Sequence, residues 1–335
     1  MLRFLVRRGL SAIGLLLVVS IITFTLIKLP SGDYADYAAS MARSQGGLTY
    51  DQSLIYADQI RERLGLNLPL PFQYLHWIGA IILHGDFGQS FAYNKPVLAV
   101  LGDRFWRTLG IAATCHLLAT LIGVSLGIVG AVYQHRWGDR IASTIAFLGM
   151  TIPRFFMALI ILYWLAFVVG SQYLGSIYSS QFIFAPFSFA KVWDLLKHVW
   201  PIIFVATFGG LAYNMRVVRG NLLDVLRQPY IEAARAKGLP ARTVVLKHAL
   251  PNALHPLVMY QGVAMPYMLS GELEVAIILG VPTVGPLMLD SLYRGDVWVT
   301  ATIFLGLSTI LVVANLLADI LLSVLDPRIR LLGTR

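Results

Sequence analysis

The sequence predicts an all-α integral membrane protein of about six transmembrane helices, and three observations lead there. Hydrophobic residues make up 57% of the 335 positions and charged residues only 13%, whereas about a quarter of the residues in a soluble domain are charged. The apolar residues gather into stretches near the roughly 20 residues that a helix needs to cross a bilayer core, unlike the short alternating segments of a membrane barrel. The basic residues, finally, collect on one side of the chain when successive loops are assigned to alternating sides.

The first helix is expected over residues 9–27, behind Arg3, Arg7 and Arg8. The run exceeds the roughly 7 to 15 residues of a signal-peptide core, and no small-residue cleavage site follows it, so it reads as a retained span. Further spans are expected at 105–133, 141–169, 199–218, 256–280 and 297–324. The chain then divides into an N-terminal segment with its helix (1–30), an extracytoplasmic segment (31–104) and a transmembrane core (105–335). Within 31–104, a helix is expected around 51–64 and a break at Pro69-Leu70-Pro71. Two connections are too long for turns: this segment, and a cytoplasmic loop at about 214–255.

With the N-terminus in the cytoplasm, the inside loops, counted with Arg216 at the end of the fourth span, hold 15 basic residues against four acids, Asp139, Asp224, Glu232 and Asp326, and the outside segments, counted with Arg107 at the start of the second, hold 10 of each. Basic loops stay inside, so both termini are expected on the cytoplasmic side of a bacterial-type inner membrane. The net charge of +9 is thus a topology signal, and nucleic acid is not an expected partner. The single cysteine, Cys115, lies in the second span and excludes an intramolecular disulfide and a cysteine metal cluster. His116 has no second ligand at i, i+4, so no metal is assigned.

Charges inside apolar helices cost about 2.5 to 3.5 kcal/mol at mid-bilayer, so each needs a partner, water or a shallow position. Arg154 follows Pro153 in the third span, where a proline can bend the helix; it either lines a pathway or pairs with an acid such as Asp319. Glu272 and Glu274, at i and i+2, cannot share a helix face, so at most one faces a pore. Asp319, near the end of the last span, reads as a structural hydrogen-bonding group. Gly123, Gly127 and Gly130 give the small-residue spacing that lets helices pack closely.

The most informative stretch is Asn221 to Lys237, NLLDVLRQPYIEAARAK, followed by Gly238, Leu239 and Pro240. It predicts helix, stop, helix, with the break at Pro229, a left-handed cap at Gly238, and Pro240 opening a further segment at 241–250. Ala233 and Ala234 are expected to leave a low surface that another protein's groove can approach, and Glu232 and Arg235 are spaced to pair at i, i+3.

Glu232-Ala233-Ala234, Gly238 after three further residues, and then Leu250-Pro251 resemble the signature loop of permease subunits of binding-protein-dependent ABC importers. His248-Ala249-Leu250-Pro251-Asn252 resembles the dipeptide, oligopeptide and nickel branch. So do Arg63-Leu64-Gly65-Leu66, Gln73-Tyr74 and Trp77, the run Gly85-Asp86-Phe87-Gly88-Gln89-Ser90, and the ending Asp326-Pro327-Arg328-Ile329-Arg330. The resemblance implies that Glu232, Ala233, Ala234, Arg235, Gly238, Leu250 and Pro251 belong to a coupling element seated in a cleft of an ATPase subunit. It further implies two ATPase subunits that carry the ATP and Mg, an extracytoplasmic solute-binding protein and a second related permease in a heterodimer. The chain itself would bind no cofactor, and the solute would be di- or oligopeptides. One stretch departs: Ala276 stands where that branch carries a glutamate, and Pro282-Thr283-Val284-Gly285 replaces Pro-Gly-Leu-Gly. This variation resembles members associated with oligosaccharides or other small solutes, so that alternative stays open.

The chain has no Gly-x-x-x-x-Gly-Lys-Ser/Thr phosphate loop, so ATP hydrolysis is expected on separate chains. An ion-coupled secondary transporter, the first rival, often carries a two-half repeat, and none is visible. A membrane enzyme would need converging catalytic groups, and the His-Glu-x-x-His metalloprotease pattern is absent.

Overall fold

The computed structural model describes residues 2–29 and 32–325. The ending Asp326 to Arg330 and the side chain of Asp319 lie outside the described residues. The chain divides into two compact units, one of residues 2–106 and 284–312, the other of 107–283 with the last helix from residue 313.

In the first unit, α1 (Leu2–Ile27) is an apolar helix of whose candidate span, Gly9–Ile27, only 11% is buried. Such exposure suits a helix solvated by lipid tails. Two short helices follow, α2 (Tyr34–Ser44) and α3 (Tyr50–Leu64), each opened by a reciprocal capping box, Asp33 with Asp36 and Thr49 with Gln52. Ala35, Ala39 and Ala57 are buried between them. Arg61 of α3 donates to Asp33 and to Asp58 at 2.9 Å each, and to Asp36. α4 (Leu70–His84) carries Trp77, which stacks on Phe24 of α1 with ring centroids 5.9 Å apart and on Trp298 at 6.1 Å. α12 (Val284–Tyr293) and the start of α13 (Val297–Leu325) complete the unit. Asp296, fully buried before α13, accepts hydrogen bonds from Ser90 Oγ at 2.6 Å and the Ala92 amide at 3.0 Å, which ties the Gly85–Ser90 motif to that helix start.

The second unit is built on α8 (Phe189–Leu226), against which α6 (Trp137–Thr151), α7 (Arg154–Tyr163) and α11 (Leu250–Leu279) all pack. α5 (Val97–Val132) also meets it along the glycine stripe, because a Cβ on Gly123 would fall 2.6 Å from the Asn214 Cβ and one on Gly127 2.8 Å from the Val218 Cβ. Gly149 of α6 does the same, its absent Cβ 2.7 Å from the Phe208 carbonyl oxygen. The run Gly123-Val124-Ser125-Leu126-Gly127 has the letters of a hydrolase nucleophile elbow. It lies in mid-helix, with Ser125 Oγ donating to the Leu121 carbonyl at 2.8 Å, and not in the strand-to-helix turn that chemistry requires.

The expected single span at 141–169 is broken. α6 and α7 meet at 95° across Ile152-Pro153, and α7 runs on into a π-helical turn, Trp164–Val168. Pro153 has no amide to donate and forces Ile152 into extended backbone, φ −81° and ψ 120°. Among the described residues, four helices are long and apolar enough to cross a membrane alone, and counting Trp137–Val168 and Leu269–Tyr293 as bent spans makes six.

Candidate functional site

The predicted helix, stop, helix is present. α8 ends at Leu226, and α9 (Pro229–Ala236) starts with proline at its first turn, where a missing amide costs nothing. Gly238, at φ +76°, ends α9, its amide and that of Leu239 donating to the carbonyls of Arg235 and Ala234 at 2.9 and 3.4 Å. Pro240 opens α10 (Ala241–Thr243), which passes through a π-helical turn at Val244–Ala249 into α11. The short helix is held down by Ile231, 0% exposed, and Ala234, 8% exposed, in a cluster with Ala131, Leu222, Val244, Ala249 and Ala253. A second tie is the Asn252 side-chain amide, which donates to the Tyr230 hydroxyl at 3.0 Å and to the His248 carbonyl at 3.2 Å.

The two alanines of the motif therefore have different surroundings. Ala233 faces outward with Tyr230, Glu232 and Lys237, while Ala234 faces into the chain's own core. The smooth surface expected from both is built on Ala233 alone. Glu232 and Arg235 are both exposed and do not form the i, i+3 ion pair; Arg235 instead lines a cavity beneath α9. Gly238 and Pro251 are exposed and Leu250 half-buried, so every residue of the motif belongs to one continuous corner between α8 and α11. Tyr230 and Asn252, not among the expected contact residues, are what close that corner. Their 22-residue separation is invisible to any local pattern.

A second polar region runs through the helices of the same unit. Arg154, at the start of α7, fits its guanidinium between two glycines. A Cβ on Gly209 would lie 3.0 Å from Nε, and a Cβ on Gly271 would overlap the guanidinium. The group stacks on the Tyr267 ring, 4.1 Å from the centroid, and donates to the Tyr267 carbonyl at 3.3 Å, while buried Nη2 has no hydrogen-bond partner among the described residues. Tyr260, seven residues before Tyr267 and so on the same face of α11, stacks with Tyr213 of α8 at 4.1 Å. At the next residue of α11, Gln261, the Oε1 atom accepts a hydrogen bond from Thr120 Oγ1 at 3.1 Å. His116 and Asn214 border this aromatic group.

The two glutamates of α11 behave as their spacing requires. Glu272 is 0% exposed, with the Thr283 hydroxyl beside it. Glu274 is exposed. A buried carboxyl inside a membrane bundle is expensive.

Long apolar helices, an arginine held among aromatic rings and a short exposed helix at the surface fit a membrane transport subunit. The comparisons with known proteins say which. The family described as "Binding-protein-dependent transport system inner membrane component" matches residues 123–331, and its N-terminal companion family matches residues 1–112. The chain belongs to this family: it is a permease subunit of an ABC importer, not an enzyme. It is 32% identical over 332 residues, 98% of this chain and 99% of the relative, to the glutathione transport system permease protein GsiC of Pectobacterium atrosepticum. It is 31% identical over 330 residues, with the same coverage, to the probable peptide ABC transporter permease protein y4tP of Sinorhizobium fredii. A putative peptide permease protein of Brucella ovis is 33% identical over 335 residues, 98% of this chain and 99% of that one. In fold, the chain is similar to a solved structure of the MetNI methionine ABC transporter in inward-facing conformations, with a TM-score of 0.54 at 18% identity over 68% of this chain and 97% of that one.

Proposed function

We propose that this chain forms one half of the translocation path of a di- or oligopeptide importer, paired with a second, related permease. Two ATPase subunits bind its cytoplasmic face and an extracytoplasmic binding protein delivers the solute. The observation that carries the coupling part is the corner Tyr230–Asn252. α9 presents an outward face of Tyr230, Glu232, Ala233 and Lys237, while Ile231 and Ala234 lock its inward face to α8 and α11. A partner that moves α9 therefore moves the two helices that carry Tyr213, Tyr260, Tyr267 and Gly271 around Arg154. In this reading ATP and Mg sit on the partner chains, both termini are cytoplasmic as the basic loops indicate, and the Arg154 region, with exposed Glu274, faces the path or the second permease. The peptide assignment is supported by the relatives, a glutathione permease and peptide permeases. The departure at Ala276 and Thr283 favours a second reading, an oligosaccharide or other small solute, through the same machinery.

The test is ATP-driven uptake by proteoliposomes holding this chain, the second permease, the ATPases and the binding protein. Radiolabelled di- and tripeptide uptake that needs ATP and competes with unlabelled peptide supports the reading. Uptake driven by a proton or sodium gradient without ATPase subunits contradicts it, and competition by oligosaccharide but not peptide transfers the solute to the second reading.

A further inference from the structure

We propose that the cavity beneath α9 is a binding site for the phosphate headgroup of an anionic phospholipid in the cytoplasmic leaflet, an inference that rests on the orientation proposed above. The cavity holds about 630 Å³ between the ends of α5 and α8 and the segment after α9. Arg136, Arg227 and Arg235 reach its lining from three separate elements, and no aspartate or glutamate lines it. None of the three has a side-chain hydrogen bond or ion pair among the described residues. Three arginines elsewhere are neutralised within the chain: Arg61 bonds three aspartates, Arg219 bonds Asp139 through two nitrogens at 2.7 and 2.9 Å, and Arg294 bonds Asp290 at 2.9 Å. Three convergent guanidiniums without a carboxylate form an acceptor for an anion, and the fork of each suits phosphate oxygens.

The remaining wall says which kind of anion. Val132, Leu226, Leu239, Val244 and Val245 offer apolar surface that inorganic phosphate cannot use and a glycerol backbone with the first acyl methylenes can. The loop at its rim also has the marks of the membrane interface. Trp137 is 74% exposed with the Arg140 guanidinium 5.4 Å from its ring centroid, and Tyr133 is 50% exposed. The chain's own terminal segments, with Arg3, Arg7 and Arg8 at one end and Arg328, Arg330 and Arg335 at the other, carry the wrong sign to fill it. A basic pocket at the cytoplasmic ends of membrane helices is where acidic headgroups bind. Because Arg235 lies on α9, occupancy would brace that helix against α5 and α8.

The experiment measures phosphatidylglycerol binding to the purified full chain by native mass spectrometry. It compares the native sequence with Arg136→Gln/Arg227→Gln and with a control pair, Arg242→Gln/Lys247→Gln, which removes the same charge from the segment after α9, outside the cavity. The native chain and the control bind phosphatidylglycerol equally and prefer it to phosphatidylethanolamine. The cavity pair binds it about 30-fold more weakly while eluting as a folded species in size exclusion. Equal loss in both pairs, equal binding in all three proteins, or full displacement by millimolar inorganic phosphate would each overturn the proposal. So would loss of ATPase co-purification from the cavity pair with lipid binding intact, which would assign the arginines to the ATPase. The lipid measurement involves no ATPase, so its failure leaves the importer reading untouched.

Discussion

Adjacent alanines with different surroundings give the coupling motif an internal control. Ala234→Asp places a carboxylate where the native methyl is 8% exposed and packed with Ile231, Leu222 and Val244. The side chains packed there are apolar, and an uncompensated buried charge costs about 3 to 5 kcal/mol, an upper bound here because Arg136, Arg227 and Arg235 line the adjacent cavity. α9 has only eight residues, so the cheapest escape is for it to peel from the core, which would also break the Asn252 to Tyr230 bond. Ala233→Asp puts the same carboxylate in solvent and changes stability by no more than about 0.5 kcal/mol. Both variants are expected to lose co-purifying ATPase, for different reasons. Limited proteolysis after Arg235 or Lys237 separates them: rapid cleavage in Ala234→Asp, native resistance in Ala233→Asp. If Ala233→Asp is cleaved as fast as Ala234→Asp, or if Ala234→Asp is native-like in both assays, the placement of the two alanines is wrong.

Three further outcomes follow from the packing. Burial raises the pKa of Asp36, but the Asp33 amide and Arg61 outweigh it and hold the carboxyl below its ordinary value. A depressed carboxyl contributes stability above its unfolded pKa, near 4, and loses it as pH falls through the lower folded value, so α2 and α3 should loosen in acid. Arg61→Gln should weaken that acid dependence, leaving the part due to the Asp33 amide, and cost about 1 kcal/mol at neutral pH, given how exposed Asp36 is; hydrogen exchange of residues 33–64 in acid and at neutral pH reads both. Gly127→Leu adds a side chain where even a Cβ falls 2.8 Å from Val218, so a stability loss of at least about 1 to 3 kcal/mol is expected, seen as a lower unfolding temperature in detergent, while Gly220→Leu, where a Cβ meets nothing within 4 Å, should be near neutral. Gly271→Ala should displace the Arg154 guanidinium and forfeit about 1 to 2 kcal/mol of its contact with Tyr267. In the Arg154→Ala background the same change should cost little, and additive effects in the double variant would refute the fit.

Much of this architecture was legible because hydrophobic length and loop charge are read one segment at a time. The first span, the helix at Tyr50–Leu64 expected around 51–64, and the stop at Gly238 all depend on residues close in sequence. The 95° break at Ile152-Pro153 was underestimated because apolar content stays high through it, and a hydropathy window does not register a lost amide donor. α8 reaches Phe189–Leu226, well past the expected 199–218, because its ends carry Asp194, Arg219 and Asp224 outside the apolar stretch. At the coupling corner, composition showed two alanines but not their direction. The i, i+3 spacing of Ile231 and Ala234 was the available signal, since two residues so spaced share a helix face. The Arg154 cradle was out of reach, as it depends on Gly209 and Gly271 from two other helices.

In the proposed function the outward face of α9, and not its inward face, seats the ATPase. Native Cys115 is buried, and in a Cys115→Ser background a single cysteine can be placed at 233 or 234 and challenged in membranes with ATPase subunits bearing cysteines around their cleft. Disulfide cross-linking from Ala233→Cys, with little or none from Ala234→Cys, is the predicted result. Cross-linking from neither position while the ATPase remains bound would show that it docks elsewhere, and the coupling role assigned to Tyr230–Asn252 would fall.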